Sequence, residues 1–268
     1  MPNLVIGNTS QLSYYFPKQY IKISSRNIDD NFIENNTWDS VHICFAEQRT
    51  FLANDNTLKD LFFDVNVHLV NKIISKINAK KIFYYSTAEL WNNTVGEIHL
   101  NTPFNFINNN YTESKYEITT KLMCKRTYPN VSIVYPFNFN SVYRKSGYLF
   151  SKIFQSILNK QKIEIGDTYY YRDMIHPKMV VDLAIKNDII GQDFIVGSGH
   201  LTYVNEFIRK LYNKMNMNYD DFVTENVKNH SIYRKNVFYN SIRHKENDPS
   251  NLLKLTIKEL RAFKNENI

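Results

Sequence analysis

Short apolar runs alternate along this chain with longer segments of helical period. "NLVIG" (3–7) is an apolar run closed by glycine, "YIKIS" (20–24) a second and "SVHICFA" (40–46) a third. "KIFYYS" (81–86), "VSIVYPF" (131–137), "KIEIG" (162–166) and "DFIVGSG" (193–199) continue the series. Runs of this length, bounded by turn residues, read as buried strands. Between them, "LKDLFFDVNVHLVNKIISKI" (58–77) has apolar residues at 61, 62, 65, 69, 70, 73, 74 and 77. That spacing makes one broad helical face. Helices are likewise predicted over 111–128, 147–160, 176–187, 204–215 and from about 249 to 263. The Asn-rich stretches at 92–93, 105–110 and 226–229 read as loops. Alternation of strand and helix predicts an α/β chain with a doubly wound parallel sheet. Ligands of such sheets bind at the carboxyl ends of the strands. Past residue 140 the strands become sparser, which marks a domain boundary there.

Composition narrows the picture. The chain has 268 residues, 43% hydrophobic, enough for one large domain or a domain with a small lobe. The net charge is +7, but Lys and Arg are scattered among Asp and Glu. A nucleic-acid or membrane surface needs them clustered, so neither partner is expected. A basic cleft for an anionic small molecule remains open. The two cysteines, Cys44 and Cys124, have no metal-ligand spacing. They are expected as buried free thiols in a reducing compartment, and no metal is expected. The N-terminus lacks a signal-peptide pattern, and no segment has the apolar length to span a bilayer. The expected location is the cytoplasm.

The strand ends carry the candidate chemistry. The first ends in "GNTSQLS", where a dinucleotide fold wants glycines for a tight turn near a pyrophosphate. Gly7 fits, while Ser10 and Ser13 stand where further glycines would fall. The second ends in "SSRN". Ser24, Ser25 and Arg26 offer donors and positive charge where an acid would accept from an adenosine ribose, which favours a 2′-phosphate. "YYSTAELW" (84–91) carries Thr87, and Tyr111 and Lys115 follow one helical turn apart. An ammonium beside a phenol lowers its pKa. With a hydroxyl such as Thr87 to hold a substrate oxygen, the three make a proton relay for alcohol/ketone interconversion.

Taken together, "YYSTAELW", "YTESK" and "RDMIH" make the chain resemble the extended short-chain dehydrogenase/reductases that act on nucleotide sugars. "DSVHICFAEQRTF" resembles that family's fourth strand and its cofactor-lining turn, and "DVNVHLVNKI" the following helix, with Asn66 at the structural asparagine. The resemblance implies a Rossmann-like doubly wound parallel sheet with a smaller C-terminal substrate-binding lobe. Residues 1–140 would bind the dinucleotide; 141–268 would mainly bind the nucleotide sugar, with some segments returning to the first domain. It implies catalytic roles for Thr87, Tyr111 and Lys115, with Glu89 a candidate base. It implies cofactor contacts from Gly7, Thr9, Ser10, Gln11, Leu12, Ser25, Arg26, Phe45 and Ala46, besides Tyr111 and Lys115. Asn138, Arg172 and Arg234 would contact substrate, the arginines at its diphosphate. Asp173 and His176 are expected to be structural, the first capping a helix and the second bonding backbone.

NADP(H) is favoured, with NAD(H) the alternative, and a homodimer through the helix at 111–128 is implied. The expected reaction is reduction of a 4-keto sugar. 4-Epimerisation and 4,6-dehydration are the alternatives, and a catalytically idle binding relative is the alternative of another class. Three departures from the family stand out. Ser10 and Ser13 erode the glycine loop, and the short span between the first and fourth strands implies a missing helix or strand. Ala88 replaces the aspartic acid of many 4,6-dehydratases.

Overall fold

Every long apolar run of the first 140 residues becomes a strand of one parallel sheet. The computed structural model describes residues 1–26, 28–226, 239–242 and 249–266. In chain order come β1 (Asn3–Ile6), β2 (Ile21–Ile23), α1 (Asp30–Glu34), β3 (Thr37–Ile43), α2 (Lys59–Phe63), α3 (Leu69–Lys76) and β4 (Asn78–Tyr85). Then follow β5 (Gly96–Ile98), α4 (Asn110–Leu122), β6 (Val131–Pro136), β7 (Asn138–Phe139), α5 (Leu149–Asn159), β8 (Ile163–Ile165), β9 (Tyr171–Ile175) and α6 (Pro177–Lys186). The last are β10 (Phe194–Val196), β11 (Leu201–Tyr203), α7 (Val204–Lys214), α8 (Tyr219–Phe222), β12 (Val223–Glu225), β13 (Tyr239–Ser241) and α9 (Pro249–Glu266).

Two compact units share these elements. The first comprises Met1–Trp91, Leu100–Pro136 and Val181–Val196; the second comprises Asn92–His99, Phe137–Val180 and Gly197–Ile268. The first holds a six-stranded sheet in the order β10-β6-β4-β3-β1-β2, its pairs all parallel. Leu4, Val41, Ile43, Tyr84, Val131, Ile133 and Val134 are fully buried within it, as a sheet covered on both faces requires. The second unit packs α5, α7 and α9 around Ile153, Ile208, Leu211, Tyr212 and Leu260. Its small sheets are β11-β9-β7, β12-β8 and β13-β5.

The register sets where a ligand can sit. Ile6 pairs with Ile43, and Ile43 with Tyr84. Gly7, Cys44 and Tyr85 therefore follow in one row, and the segments after them line one carboxyl edge.

Several sequence expectations are corrected. The third strand runs 37–43, not 40–46; past its last pairing only Cys44 still donates to β1, from its N–H to the Ile6 carbonyl at 2.9 Å. The helix predicted over 58–77 is divided by a π turn at Asp64–His68. The helix predicted to reach 128 ends at Leu122, because Cys124 accepts from the N–H groups of Thr127 and Tyr128 in successive turns ahead of Pro129. Cys44 is buried as expected, but Cys124 is exposed. The missing element is real. β1 and β2 are joined by a five-residue 3-10 helix, Gln11–Tyr15, and only the short α1 lies between β2 and β3.

Candidate functional site at the carboxyl edge of the sheet

Placement of the Tyr–Lys pair starts with a helix cap. Asn109 accepts from the N–H of Thr112 at 3.0 Å, and the Thr112 hydroxyl accepts from the N–H of Asn109 at 3.1 Å. This reciprocal box satisfies two of the donors orphaned at a helix start. It fixes the beginning of α4, so Tyr111 falls in the first turn and Lys115 in the second. The residues beside Tyr111 pin that turn to the chain before it. Asn110 donates its side-chain amide to the carbonyl of Asp55 at 2.8 Å, and its N–H to that of Ala53 at 2.9 Å. Tyr111 is 8% exposed and packs with Ala53, Phe62 and Leu58.

Asn66 completes the brace. The π turn carries it inward, where its Oδ1 accepts from the N–H of Glu47 at 2.8 Å. Its Nδ2 donates to the Glu47 carbonyl and to Ser114 Oγ, each at 3.0 Å. π turns recur where a side chain must be re-aimed. Asn66 is thus structural, as the resemblance implied.

Lys115 is 2% exposed. Its Nζ donates to the Tyr85 carbonyl at 2.9 Å and to the Tyr84 hydroxyl at 3.1 Å. Both acceptors lie at the last turn of β4, immediately before Ser86 and Thr87. An ammonium has three donors, so one remains for a ligand. Burial lowers its pKa to about 7, because removal from water disfavours the charged form. Thr87 is buried, and its Oγ1 accepts from the N–H of Glu89 at 3.2 Å. That bond leaves the Thr87 hydroxyl proton to be donated elsewhere. Tyr111 lies near enough to Tyr84 for its charge to raise that phenol's pKa further, after burial. Thr87, Tyr111 and Lys115 are thereby gathered where β4 ends and α4 begins. Glu89 lies beside them in a 3-10 turn.

The turn after β1 has a different construction. Gly7 has φ +106, and a Cβ there would lie 2.8 Å from the Phe45 backbone nitrogen. Only glycine suits both the angle and the approach. The N–H groups of Gly7 and Asn8 both go to the Ile23 carbonyl, at 2.9 and 3.0 Å. Thr9 is exposed and Ser10 half-buried, but Gln11 and Leu12 turn into the interior. The short helix that follows is closed by Lys22, whose Nζ donates to the carbonyls of Ser13 at 2.6 Å and Phe16 at 3.1 Å. A cation suits a helix C-terminus. Arg26 is exposed, and its N–H is accepted by Ser24 Oγ at 3.2 Å; Ser25 and Ala46 are half-buried. The residues present are compatible with a dinucleotide at this edge: Gly7 lets the turn after β1 pack against Phe45, and the buried Lys115 ammonium stands further along the row with a donor to spare.

The remaining predicted residues belong to the second unit. Asn138 lies on β7 and donates to the Asp173 carbonyl at 3.5 Å. Arg172 lies on β9, stacked over Tyr170 at 4.6 Å, and donates to the Tyr171 carbonyl at 3.0 Å. Arg234 lies outside the described residues. Asp173 caps no helix. Its two oxygens accept from the N–H and hydroxyl of both Ser198 and Ser241, and from the N–H of Gly199. A fully buried carboxylate needs such donors, and they come from the segment after β10 and from the last residue of β13. His176 bonds backbone as expected, accepting from the N–H of Lys178 at 3.2 Å.

Sequence reasoning missed Tyr84, Thr119, Ser86 and Lys22. A signal for the first was present: two tyrosines end a buried strand, and a buried phenol must find a partner.

No known family model and no curated protein matches the chain. Solved structures match it over its length. RMD of Pseudomonas aeruginosa, solved with NADPH, superposes with a TM-score of 0.76 at 13% identity, covering 100% of this chain and 100% of that one. The dTDP-glucose 4,6-dehydratase of Streptomyces venezuelae, solved with NAD, gives 0.76 at 14% identity, covering 99% and 98%. The UDP-glucose 4-epimerase of Thermotoga maritima, solved with UDP-glucose, gives 0.75 at 15% identity, covering 98% and 99%. At these identities the likeness is one of fold, and the fold is the Rossmann-like one that the sequence implied.

Proposed function

We propose that the chain is an NAD(P)-dependent enzyme that modifies a nucleotide-activated sugar, with reduction of a 4-keto group as its reaction. The observation that carries this reading is Lys115: a buried ammonium held at the end of β4, beside Thr87 and one helical turn from Tyr111. A solvated surface lysine would not need two fixed acceptors in the interior. The neighbours in fold were solved with NADPH, NAD and UDP-glucose, which supports the ligand class.

The dinucleotide, when bound, supplies a hydride for the C4 carbonyl carbon. Thr87 donates its hydroxyl proton as a hydrogen bond to the keto oxygen. Tyr111 transfers its phenolic proton to that oxygen as it becomes an alkoxide. Lys115 stabilises the resulting phenolate, and its remaining donor suits a ribose hydroxyl of the cofactor. Arg172, already flattened over Tyr170, suits a diphosphate through its planar fork. Ser25 and Arg26 favour NADP(H) over NAD(H). Ala88 favours reduction over 4,6-dehydration: buried and apolar, it has no proton for a departing hydroxyl.

The test is NADPH oxidation in the presence of 4-keto nucleotide sugars, followed by absorbance. Consumption matched one-for-one by 4-hydroxy product supports reduction. Interconversion of 4-epimers without net NADPH loss would replace it by epimerisation. Binding without turnover of any substrate would favour the idle relative.

A further inference from the structure

A buried polar chain leads from Lys115 through Tyr84. Lys115 Nζ donates to Tyr84 Oη at 3.1 Å. Tyr84 is hydrogen-bonded in turn to the side chain of Thr119. Thr119 Oγ1 lies 2.7 Å from Ser86 Oγ. Tyr84 and Thr119 are 0% exposed, Lys115 2% and Ser86 5%. An ammonium can only donate, so Tyr84 accepts from it; the Thr119 contact lowers the Tyr84 pKa, as a hydroxyl donating to the phenol oxygen does. The ammonium lies 4.7 Å from the Tyr84 ring centre but much nearer the hydroxyl, so the hydroxyl is the contact that matters.

We propose that Tyr84 is a positioning residue for Lys115: its phenol holds the ammonium at the end of β4 and, through Thr119, ties it to Ser86 beside Thr87. The proposal rests on the reading of Lys115 as the lysine partner of Tyr111. Its physical need is plain. A lysine side chain has four rotatable carbons, and one backbone carbonyl gives it a single anchor. The second anchor removes that freedom and favours the charged form against burial. Among the described residues, the ionisable groups that act on Tyr84 are phenols: Tyr111 from the preceding turn of α4 and Tyr135 from β6. Burial is the cause of the depressed Lys115 pKa, so loss of the Tyr84 acceptor should depress it further.

The test is a pH titration of the cofactor-free full chain labelled with ε-¹³C lysine, Lys115 being assigned by the signal lost in Lys115→Arg. Tyr84→Phe should lower the Lys115 midpoint by about one pH unit, the size of one hydrogen bond to a charged group. An unchanged midpoint in a variant with wild-type circular dichroism overturns the proposal. If Tyr84→Phe does not fold, Thr119→Val replaces it, with a smaller downward shift expected and no shift overturning. NADPH titration of the same samples separates the two readings. A wild type that binds no dinucleotide sinks the proposed function, whereas the midpoint shift judges Tyr84 on its own.

Discussion

The carboxyl ends of β1 and β4 lie in one sheet but are built in opposite ways. After β1 the chain makes a minimal turn. Two N–H groups are spent on one carbonyl of β2, a single 3-10 turn stands where a long helix is usual, and Lys22 closes it from behind. After β4 the polar groups are dense and buried: Lys115, Tyr84, Thr119, Ser86 and Thr87, braced by Asn110 and by Asn66 through Ser114. The first end is cut to what keeps the strands together. The second concentrates the hydroxyl, phenol and ammonium groups on which the proposed proton transfer relies. On the proposed reading, the chemistry resides at β4 and α4, and the β1 turn serves binding.

The sharpest way to break this contrast is Tyr111→Phe. It should reduce turnover by roughly 10²–10⁴-fold, the usual worth of a general acid, while the NADPH dissociation constant stays within twofold. A fall in affinity equal to the fall in turnover would mean that Tyr111 serves binding instead. Gly7→Ala comes next and should act in the reverse sense. It forces a side chain into φ +106 and against Phe45, at a cost of about 1–3 kcal/mol. Urea unfolding should register the cost, and NADPH affinity should drop.

Between the two ends lies His42 on β3. It is fully buried, with Nδ1 3.0 Å from Tyr85 Oη and Nε2 3.2 Å from Ser40 Oγ. Ser40 donates to Asn3 Oδ1 at 2.7 Å, so Ser40 accepts from His42 Nε2–H and Nδ1 accepts from Tyr85. Burial lowers the His42 pKa to about 3, against about 6.5 unfolded. The unfolded chain thus binds the extra proton between those values, and stability falls as pH drops through that window. At pH 5 the loss should be about 2 kcal/mol relative to pH 7, and His42→Phe should abolish that part of the slope in urea titrations at the two pH values.

Smaller effects sharpen the contrast further. Lys22→Met should cost roughly 1.5 kcal/mol and loosen the β1–β2 turn, seen as faster proteolysis within 7–20, with the Lys115 titration unmoved. Asn109→Ala removes the α4 cap and should cost about 1 kcal/mol by thermal unfolding. Its turnover loss should exceed that of Lys22→Met, because Tyr111 sits in the freed turn.

What could be read from the sequence follows the same division. Apolar periodicity located the main strands and helices, because burial on both faces leaves few alternatives for runs such as "KIFYY". The Tyr111–Lys115 spacing and its place after a Ser-Thr strand end were legible, since both depend on local geometry. The chain through Tyr84 and Thr119 was not, because it joins a strand to a helix through side chains whose directions only packing fixes. Strands β5, β7, β9, β11, β12 and β13 were also missed. They are two to five residues long and most lack a buried apolar run, so no apolar pattern marks them. The role of Asp173 was misjudged for a similar reason: its donors, Ser198 and Ser241, are distant in sequence.

The central claim is that Lys115 and its neighbours serve a bound dinucleotide. Fluorescence titration of the purified chain with NADPH and NADH, beside Lys115→Met, tests it most directly. Binding should be saturable, tighter for NADPH, and at least tenfold weaker in Lys115→Met with the fold intact. Saturation by neither dinucleotide, or equal affinity in wild type and Lys115→Met, would contradict it.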